Sequence, residues 1–193
     1  MSIVNLASGG LDSTLVGVMI KESGIAQFPL FVDYGQIAGL REWTTSQLVH
    51  ERLELPAPTR MDISGFGQVI ASGLTRRELD VRSNAFTPGR NLLFLLMGSA
   101  FAFQEGASTV AIGLLSEEFS QFPDQKATFI SQAEETIAAA LGRRIRIVTP
   151  LAEFSKADVV KLAAAKGITG TYSCHTGATD PCGKCIACLE YQQ

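Results

Sequence analysis

Two short segments carry residue types that can do chemistry: Ser8-Gly9-Gly10-Leu11-Asp12-Ser13 near the start, and four cysteines within the last twenty residues. The two glycines let the backbone turn tightly and direct several N–H groups at one anion. Serine hydroxyls donate to phosphate oxygens, whereas the Asp12 carboxylate only accepts and needs a cation such as Mg²⁺ between itself and a phosphate. The first segment therefore predicts a phosphate-binding loop.

The flanks of this loop support that prediction. The apolar run 3–7 precedes it and a helix-like stretch, 14–22, follows it, so a helix N-terminus would add partial positive charge. The sequence contains neither Gly-x-x-x-x-Gly-Lys-Ser/Thr nor Gly-x-Gly-x-x-Gly, which excludes a Walker loop and gives no support for a dinucleotide loop. An ordinary strand-to-helix turn capped by Asp12 or Ser13 is the alternative.

The four cysteines predict a metal site. They are Cys174, Cys182, Cys185 and Cys188, so two Cys-x-x-Cys steps share Cys185. Thiolates at this spacing can all bind one tetrahedral Zn²⁺, and such a site would also order a short polar tail. Disulfides, a redox pair and an iron–sulfur cluster are the alternatives. We expect one structural zinc, which would not require the neighbouring His175.

Length and composition limit the other possibilities. A chain of 193 residues, 46% hydrophobic and 18% charged, suits one compact domain or one domain with a small appendage. Its net charge of −3 argues against general affinity for nucleic acid or for an anionic membrane. No apolar run is long enough to span a bilayer or resembles a signal peptide, so a cytoplasmic location is the default expectation.

Apolar runs bounded by turn residues alternate with helix-period segments, which predicts an α/β fold with an open, doubly wound, parallel five-stranded sheet. Strands are expected near 2–7, 28–33, 58–62, 109–113 and 145–149. Helices are expected near 13–22, 40–54, 90–104, 125–141 and 155–166. The last helix begins with a capping box at Ser155, and segment 64–89 is expected to be a long loop or a partly helical insertion.

Ligands of such a sheet bind at the carboxyl ends of its strands, near the point where the strand order reverses. The loop 8–13 follows the first predicted strand, and Asp33 and Tyr34 follow the second. Asp33 and Tyr34 are therefore candidates for an adenine or ribose pocket, and an Asx turn that ends the strand is the alternative.

The loop resembles the Ser-Gly-Gly-x-Asp-Ser pyrophosphate loop of the PP-loop ATP pyrophosphatases, whose fold is Rossmann-like (adenine nucleotide alpha hydrolase-like). More distant segments are similar to the QueC family of 7-cyano-7-deazaguanine synthases over nearly the whole chain. In chain order these segments are Asp33 to Gln36, Thr87 to Leu95, Phe122 to Asp124, Thr149 to Leu151, Tyr172 to Cys174 and Pro181 to Cys188. The resemblance implies an ATP-binding domain, 1–170, with a zinc-binding knuckle, 171–193, packed on it.

The QueC family converts 7-carboxy-7-deazaguanine to the nitrile preQ0 with ATP and ammonia, on the way to queuosine-type modified guanines. The resemblance implies AMP-forming catalysis with Mg²⁺ at Asp12, and pyrophosphate held by the loop. It also implies that Arg90 and Lys156 are cations near the phosphates or the substrate carboxylate, with a surface position as the alternative for each. Asp124 is expected to accept from the guanine-like N1–H and 2-amino edge, or else to cap a helix. A homodimer is expected as well.

The main differences from the family pattern lie around the substrate rather than around ATP. Ile37-Ala38 stands where the family usually has Arg-His, Gln125-Lys126 stands where it has Cys-Arg, and the sequence ends five residues beyond Cys188, without the family's closing helix. Three functions therefore stay open. We favour deazaguanine nitrile synthesis, and the others are adenylation of a different carboxylate by a QueC-like paralogue and a non-catalytic ATP-binding module.

Overall fold

A computed structural model describes residues 2–191 and contains one parallel sheet. The strand order is β3-β2-β1-β4-β5, so β1 lies at the centre, with Val4 opposite both Phe28 and Val110. The strands are β1 (Ser2–Leu6), β2 (Ala26–Asp33), β3 (Thr59–Asp62), β4 (Thr109–Ala111) and β5 (Arg146–Val148). All five predicted strands are present, and the strand order reverses between β1 and β4.

Helices connect the strands. They are α1 (Leu11–Glu22), α2 (Gly39–Arg52), α3 (Gly65–Val69), α4 (Arg90–Gln104), α5 (Ala127–Leu141), α6 (Lys156–Ala165) and α7 (Ile186–Glu190), with single 3₁₀ turns at Glu117–Phe119 and Pro123–Gln125. The helix expected from 125 begins later because Lys126 has an extended backbone, with φ −86° and ψ 152°. Within residues 2–191, no helix is both long and apolar enough to cross a bilayer.

Both faces of the sheet are covered, as the doubly wound prediction requires. On one face, Val4 and Val110 pack with residues of α4 and α5 such as Leu95 and Ile137. On the other face, Ile3 packs with apolar residues of α1 and α6. Strands that are apolar on both sides are typical of a parallel sheet between two helical layers.

The capping box predicted at the start of α6 is confirmed. The Ser155 side chain accepts from the Asp158 N–H at 3.2 Å, and the Asp158 carboxylate accepts from the Ser155 N–H at 3.0 Å. Each bond satisfies a backbone donor that the first helical turn leaves unpaired. The cap therefore places the first helical residue, Lys156, at a defined point at the end of the sheet.

The segment between β3 and α4 is a partly helical insertion, as expected. After α3 it continues as turns held by side-chain hydroxyls, including a 2.7 Å hydrogen bond between Ser72 and Thr87. The Ile37 N–H donates to the Leu74 carbonyl at 2.8 Å and ties the insertion to the chain that follows β2. Leu74 also packs with Tyr172 beside the cysteines. The insertion thus reaches the same end of the sheet as the predicted loop.

Candidate active site and metal centre

The phosphate-loop segment turns between β1 and α1, and its own hydroxyls hold its shape. The Ser8 N–H donates to Ser13 Oγ at 3.1 Å, the Gly10 N–H donates to Ser8 Oγ at 3.3 Å, and Ser13 Oγ donates to the Gly10 carbonyl at 3.2 Å. Gly10 is the N-cap residue of α1, where no side chain makes a capping hydrogen bond in the described structure. The N–H groups of the first turn are therefore available to an anion.

Gly9 faces the protein rather than the cavity. Its φ is +78°, and a Cβ there would lie 2.7 Å from the Glu42 carbonyl oxygen and 2.8 Å from the Ser46 nitrogen, both in the α2 backbone. The Gly9 carbonyl accepts from the Tyr172 N–H at 3.0 Å. The loop is thus held between α2 and the chain that leads into the cysteines.

Lys156 lies at the helix end of the loop and is paired with Asp12. Its ammonium donates to both Asp12 carboxylate oxygens, at 2.8 and 3.0 Å, although the residue is only 6% exposed. Burial by itself lowers the pKa of Lys156, but Asp12, Tyr191 and Glu190 together outweigh it and raise that pKa above its ordinary value. The site therefore holds a buried cation and a carboxylate beside the phosphate loop.

A cavity of about 290 Å³ extends from the loop to Arg90, the first residue of α4. Ser8, Gly10 to Ser13, Tyr34, Arg90 and Lys156 all line it. The Arg90 guanidinium lies 5.7 Å from the Phe94 ring centroid, and the Phe94 ring lies 5.3 Å from that of Tyr34. The cavity thus combines an anion-binding loop with two cations and an aromatic wall.

Two candidates from the sequence, Asp33 and Asp124, do not line this cavity. The Asp33 carboxylate forms an ion pair with Arg60 and accepts from the Gly35 N–H at 3.1 Å, which is the Asx turn considered as the alternative. Asp124 lies in a 3₁₀ turn, where its main-chain carbonyl accepts from Asn91 Nδ2 at 2.9 Å. A ligand-binding role for the side chains of Asp33 and Asp124 stays a prediction.

Three cavity residues were missed by the sequence argument. Gln36, Glu42 and His175 all line the cavity. Gln36 Nε2 donates to Glu42 Oε2 at 2.9 Å, and burial raises the pKa of Glu42 to about 7. Burial, together with the charge of Arg90, lowers the pKa of His175 to about 4. The position of Gln36 just after β2 could have identified it as a cavity residue. No feature of the sequence indicated Glu42 or His175 as cavity residues.

The four predicted metal ligands come together. The Sγ atoms of Cys174, Cys182, Cys185 and Cys188 all lie within 4.8 Å of one another, and all four are free thiols. The Cys182 N–H donates to Cys174 Sγ at 3.3 Å and the Cys185 N–H donates to Cys182 Sγ at 3.4 Å. Burial raises the pKa of the Cys174 thiol, but hydrogen bonds from Thr176 and Cys182 bring it down to about 6. Four soft donors in this arrangement can bind a metal.

The cysteine cluster is connected directly to the cavity. Helix α7 begins after Cys185 and contains Cys188, and it ends at Glu190, whose carboxylate lies 3.6 Å from the Lys156 ammonium. The next residue, Tyr191, places its ring centroid 4.8 Å from the same ammonium. A conformational change in the cysteine cluster would therefore alter the surroundings of Lys156.

Comparison with known proteins agrees with this geometry. The family model described as "Queuosine biosynthesis protein QueC" matches residues 2–193. The chain belongs to the QueC family. A 7-cyano-7-deazaguanine synthase from Campylobacter concisus is 34% identical to it over 197 residues, which cover 96% of this chain and 89% of that protein. Membership of the QueC family implies an enzyme of the ATP-dependent ligase kind.

Solved structures with a similar fold are more distant in sequence. A predicted tRNA methyltransferase subunit from Methanocaldococcus jannaschii has a TM-score of 0.57 at 18% identity, over 85% of this chain and 74% of that one. The U34-tRNA thiolase NcsA from Methanococcus maripaludis, solved with its [4Fe-4S] cluster, has a TM-score of 0.55 at 15% identity. The match covers 90% of this chain and 59% of that one. These likenesses concern the fold alone, and they agree with the predicted α/β fold.

Replacing Gly9 by alanine is expected to disrupt the phosphate loop. The positive φ costs about 1 kcal/mol for alanine, and the contact with the α2 backbone adds roughly 1–3 kcal/mol. Gly24→Ala is the matched control, because Gly24 has a φ of +67° but a Cβ there would meet no atom within 4 Å. Urea unfolding should show the larger loss for G9A, with weaker binding of a non-hydrolysable ATP analogue. Equal losses in the two variants would contradict the packing argument.

Proposed function

We propose that this protein converts 7-carboxy-7-deazaguanine and ammonia to 7-cyano-7-deazaguanine, with ATP as the activating reagent. One observation carries the proposal: in a QueC-family chain, a single cavity is lined by the phosphate loop except Gly9, by the Lys156–Asp12 pair and by Arg90. Such a cavity can hold a polyphosphate at one end and an acidic acceptor at the other.

The proposed reaction starts with activation of the carboxylate, which is otherwise a poor electrophile. A carboxylate oxygen attacks the α-phosphorus of ATP, and the bond to pyrophosphate breaks. Ammonia then adds to the acyl carbon, AMP leaves with that carboxylate oxygen, and the amide remains. The amide oxygen attacks a further ATP in the same way, and loss of the resulting AMP together with the amide protons leaves the nitrile.

The residues are proposed to act through preorganised charge. The N–H groups at the start of α1 would hold the departing pyrophosphate, and Lys156 would neutralise charge that develops on the phosphate oxygens. Arg90 would bind the acid group of the acceptor. A Mg²⁺ ion, when bound with ATP, would supply further charge neutralisation, and the Asp12 carboxylate of the loop would hold it.

Incubation with ATP, Mg²⁺, ammonia and 7-carboxy-7-deazaguanine tests the proposal directly. We expect the nitrile, AMP and pyrophosphate, identified by mass spectrometry, with the amide as an intermediate. Omission of ammonia should leave the carboxylate unconverted. ATP binding without any formation of AMP would instead support the non-catalytic ATP-binding module.

A QueC-like enzyme for another carboxylate is the second candidate, and one observation favours it. Gln125 lines the cavity where the family usually has cysteine, and its Oε1 accepts from the Gln121 and Phe122 N–H groups, both at 2.9 Å. The lining of the cavity therefore differs from the usual family pattern at this position. Pyrophosphate release with other heterocyclic acids, without nitrile from the 7-carboxy compound, would select this candidate.

Lys156→Met is expected to lower the rate of pyrophosphate release by roughly 10²- to 10³-fold, the usual effect of removing one preorganised electrostatic group. The matched control is Lys161→Met, which removes a lysine from the exposed side of the same helix. Stopped-flow detection of pyrophosphate, with thermal unfolding measured alongside, separates catalysis from stability. Equal rates for the K156M and K161M variants would contradict the assignment.

The metal at the cysteine cluster is proposed to be one structural Zn²⁺. Protein purified without added metal should contain about one zinc per chain by elemental analysis, as four thiolates suit tetrahedral zinc. The Cys185→Ser variant should lose most of that zinc. The control variant Ser83→Ala, which changes an exposed residue, should keep it. A brown protein that contains iron and sulfide would support the iron–sulfur alternative and overturn the zinc assignment.

Three wider expectations stay predictions. The packing of the tail on the ATP-binding domain is supported by the cluster that Cys174 and Cys185 form with Ala38 and Leu74, whereas the division at residue 170 rests on the sequence. The homodimer rests on the family resemblance, and the cytoplasmic location rests on the sequence. Light scattering on the purified protein would test the dimer.

A further inference from the structure

The part of the cavity lined by Glu42, Arg90 and His175 contains polar atoms without partners. Arg90 Nε and His175 Nδ1 are buried and make no hydrogen bond within the described part of the chain. Glu42 Oε1 likewise accepts no hydrogen bond from residues 2–191, since Gln36 reaches only Oε2. Buried polar atoms are rarely left unpaired. Two such atoms around one cavity, with Glu42 Oε1 open beside them, indicate a polar ligand in this part of the cavity.

The orientation of the Glu42 carboxylate is set by its neighbours. The Tyr34 N–H donates to Gln36 Oε1 at 2.9 Å, so the Gln36 amide must turn its nitrogen towards Glu42. That nitrogen donates to Glu42 Oε2 at 2.9 Å. An ionised carboxylate has about four acceptor positions. Glu42 therefore keeps Oε1 and a second lone pair of Oε2 for donors in the cavity.

The other side chains in this part of the cavity indicate the shape and charge of the ligand that would fit. Within residues 2–191, the Arg90 guanidinium has no carboxylate within 4.0 Å, and it lies beside the rings of Phe94 and Tyr34. An unpaired guanidinium suits an acid group. An aromatic wall suits a flat ring, and Glu42 suits adjacent N–H donors. The ligand is thus a planar heterocycle with an acid group and a separate donor edge.

We propose that Glu42 is the specificity-determining residue of the acceptor subsite, where it accepts from the ring N–H and the exocyclic amino group of a planar heterocycle whose acid group faces Arg90. This inference rests on the proposed function and deepens it. It places at Glu42 the role that the sequence argument gave to Asp124, whose main chain is bonded to Asn91.

Isothermal titration calorimetry with two ligands tests the proposal: 7-carboxy-7-deazaguanine and the analogue that lacks only the 2-amino group. The wild-type protein should prefer the amino compound by roughly tenfold to a hundredfold, because the analogue leaves a buried acceptor unpaired. In Glu42→Gln, the new amide oxygen must face Gln36 Nε2, so the new amide nitrogen faces the ligand's donors. E42Q should therefore reduce the preference to under about threefold.

The matched control is Glu51→Gln, which removes an exposed carboxylate from the same helix and should keep the wild-type preference. Metal content and thermal unfolding are compared in all variants. Glu42→Asp keeps the charge but withdraws the carboxylate by one methylene, and it should also lose most of the preference. This second variant keeps the test decisive if E42Q does not fold.

The outcomes separate this inference from the proposed function. Full retention of the preference in the Glu42 variants would overturn the inference. It would also be overturned if the Glu42 variants bound an ATP analogue more weakly but kept the wild-type preference between the heterocycles, because Glu42 would then act on the nucleotide. Failure of the wild-type protein to bind either heterocycle would overturn it as well. A preference that depends on Glu42 without nitrile synthesis would refute only the proposed function, and nitrile synthesis with a preference independent of Glu42 would refute only the inference.

Discussion

The ion pair between the buried Lys156 and the half-buried Asp12 is the interaction on which the site depends. It joins two helices whose residues are 144 positions apart in the chain, directly beside the phosphate loop. A buried ammonium costs several kcal/mol unless a carboxylate and further hydrogen bonds compensate it. The pair is therefore stable only when α1 and α6 begin at the correct ends of the sheet. The capping box at Ser155 and the turn around Gly10 provide those two starting points.

The cysteine cluster completes this arrangement from the other side. The chain that enters it bonds the Gly9 carbonyl through Tyr172, and the helix that leaves it places Glu190 near Lys156. A tail that is short and polar cannot bury enough apolar surface to order itself. Bonds from four thiolates to one metal can supply that order. The cysteine cluster and part of the cavity wall thus belong to the same segment.

The two ends of the cavity have different chemical character. The loop end consists mainly of backbone N–H groups and one buried ammonium, which suit phosphates regardless of what carries them. The rest of the cavity is lined by side chains, with Glu42, Arg90 and His175 beside an aromatic wall.

The sequence by itself determined the phosphate loop, the cysteine cluster and the alternation of strands and helices, because each depends on residues close together in the chain. It also indicated Arg90 and Lys156, through the family resemblance. Only the tertiary structure decided which side chains meet in the cavity. Asp33 forms an ion pair with Arg60 instead of lining the cavity. Glu42, from helix α2, and His175, from the tail, line it instead. The physical reason is that the rotation of each helix and the order of the strands determine which side chains come together. Neither can be derived from the spacing of residues within a short segment.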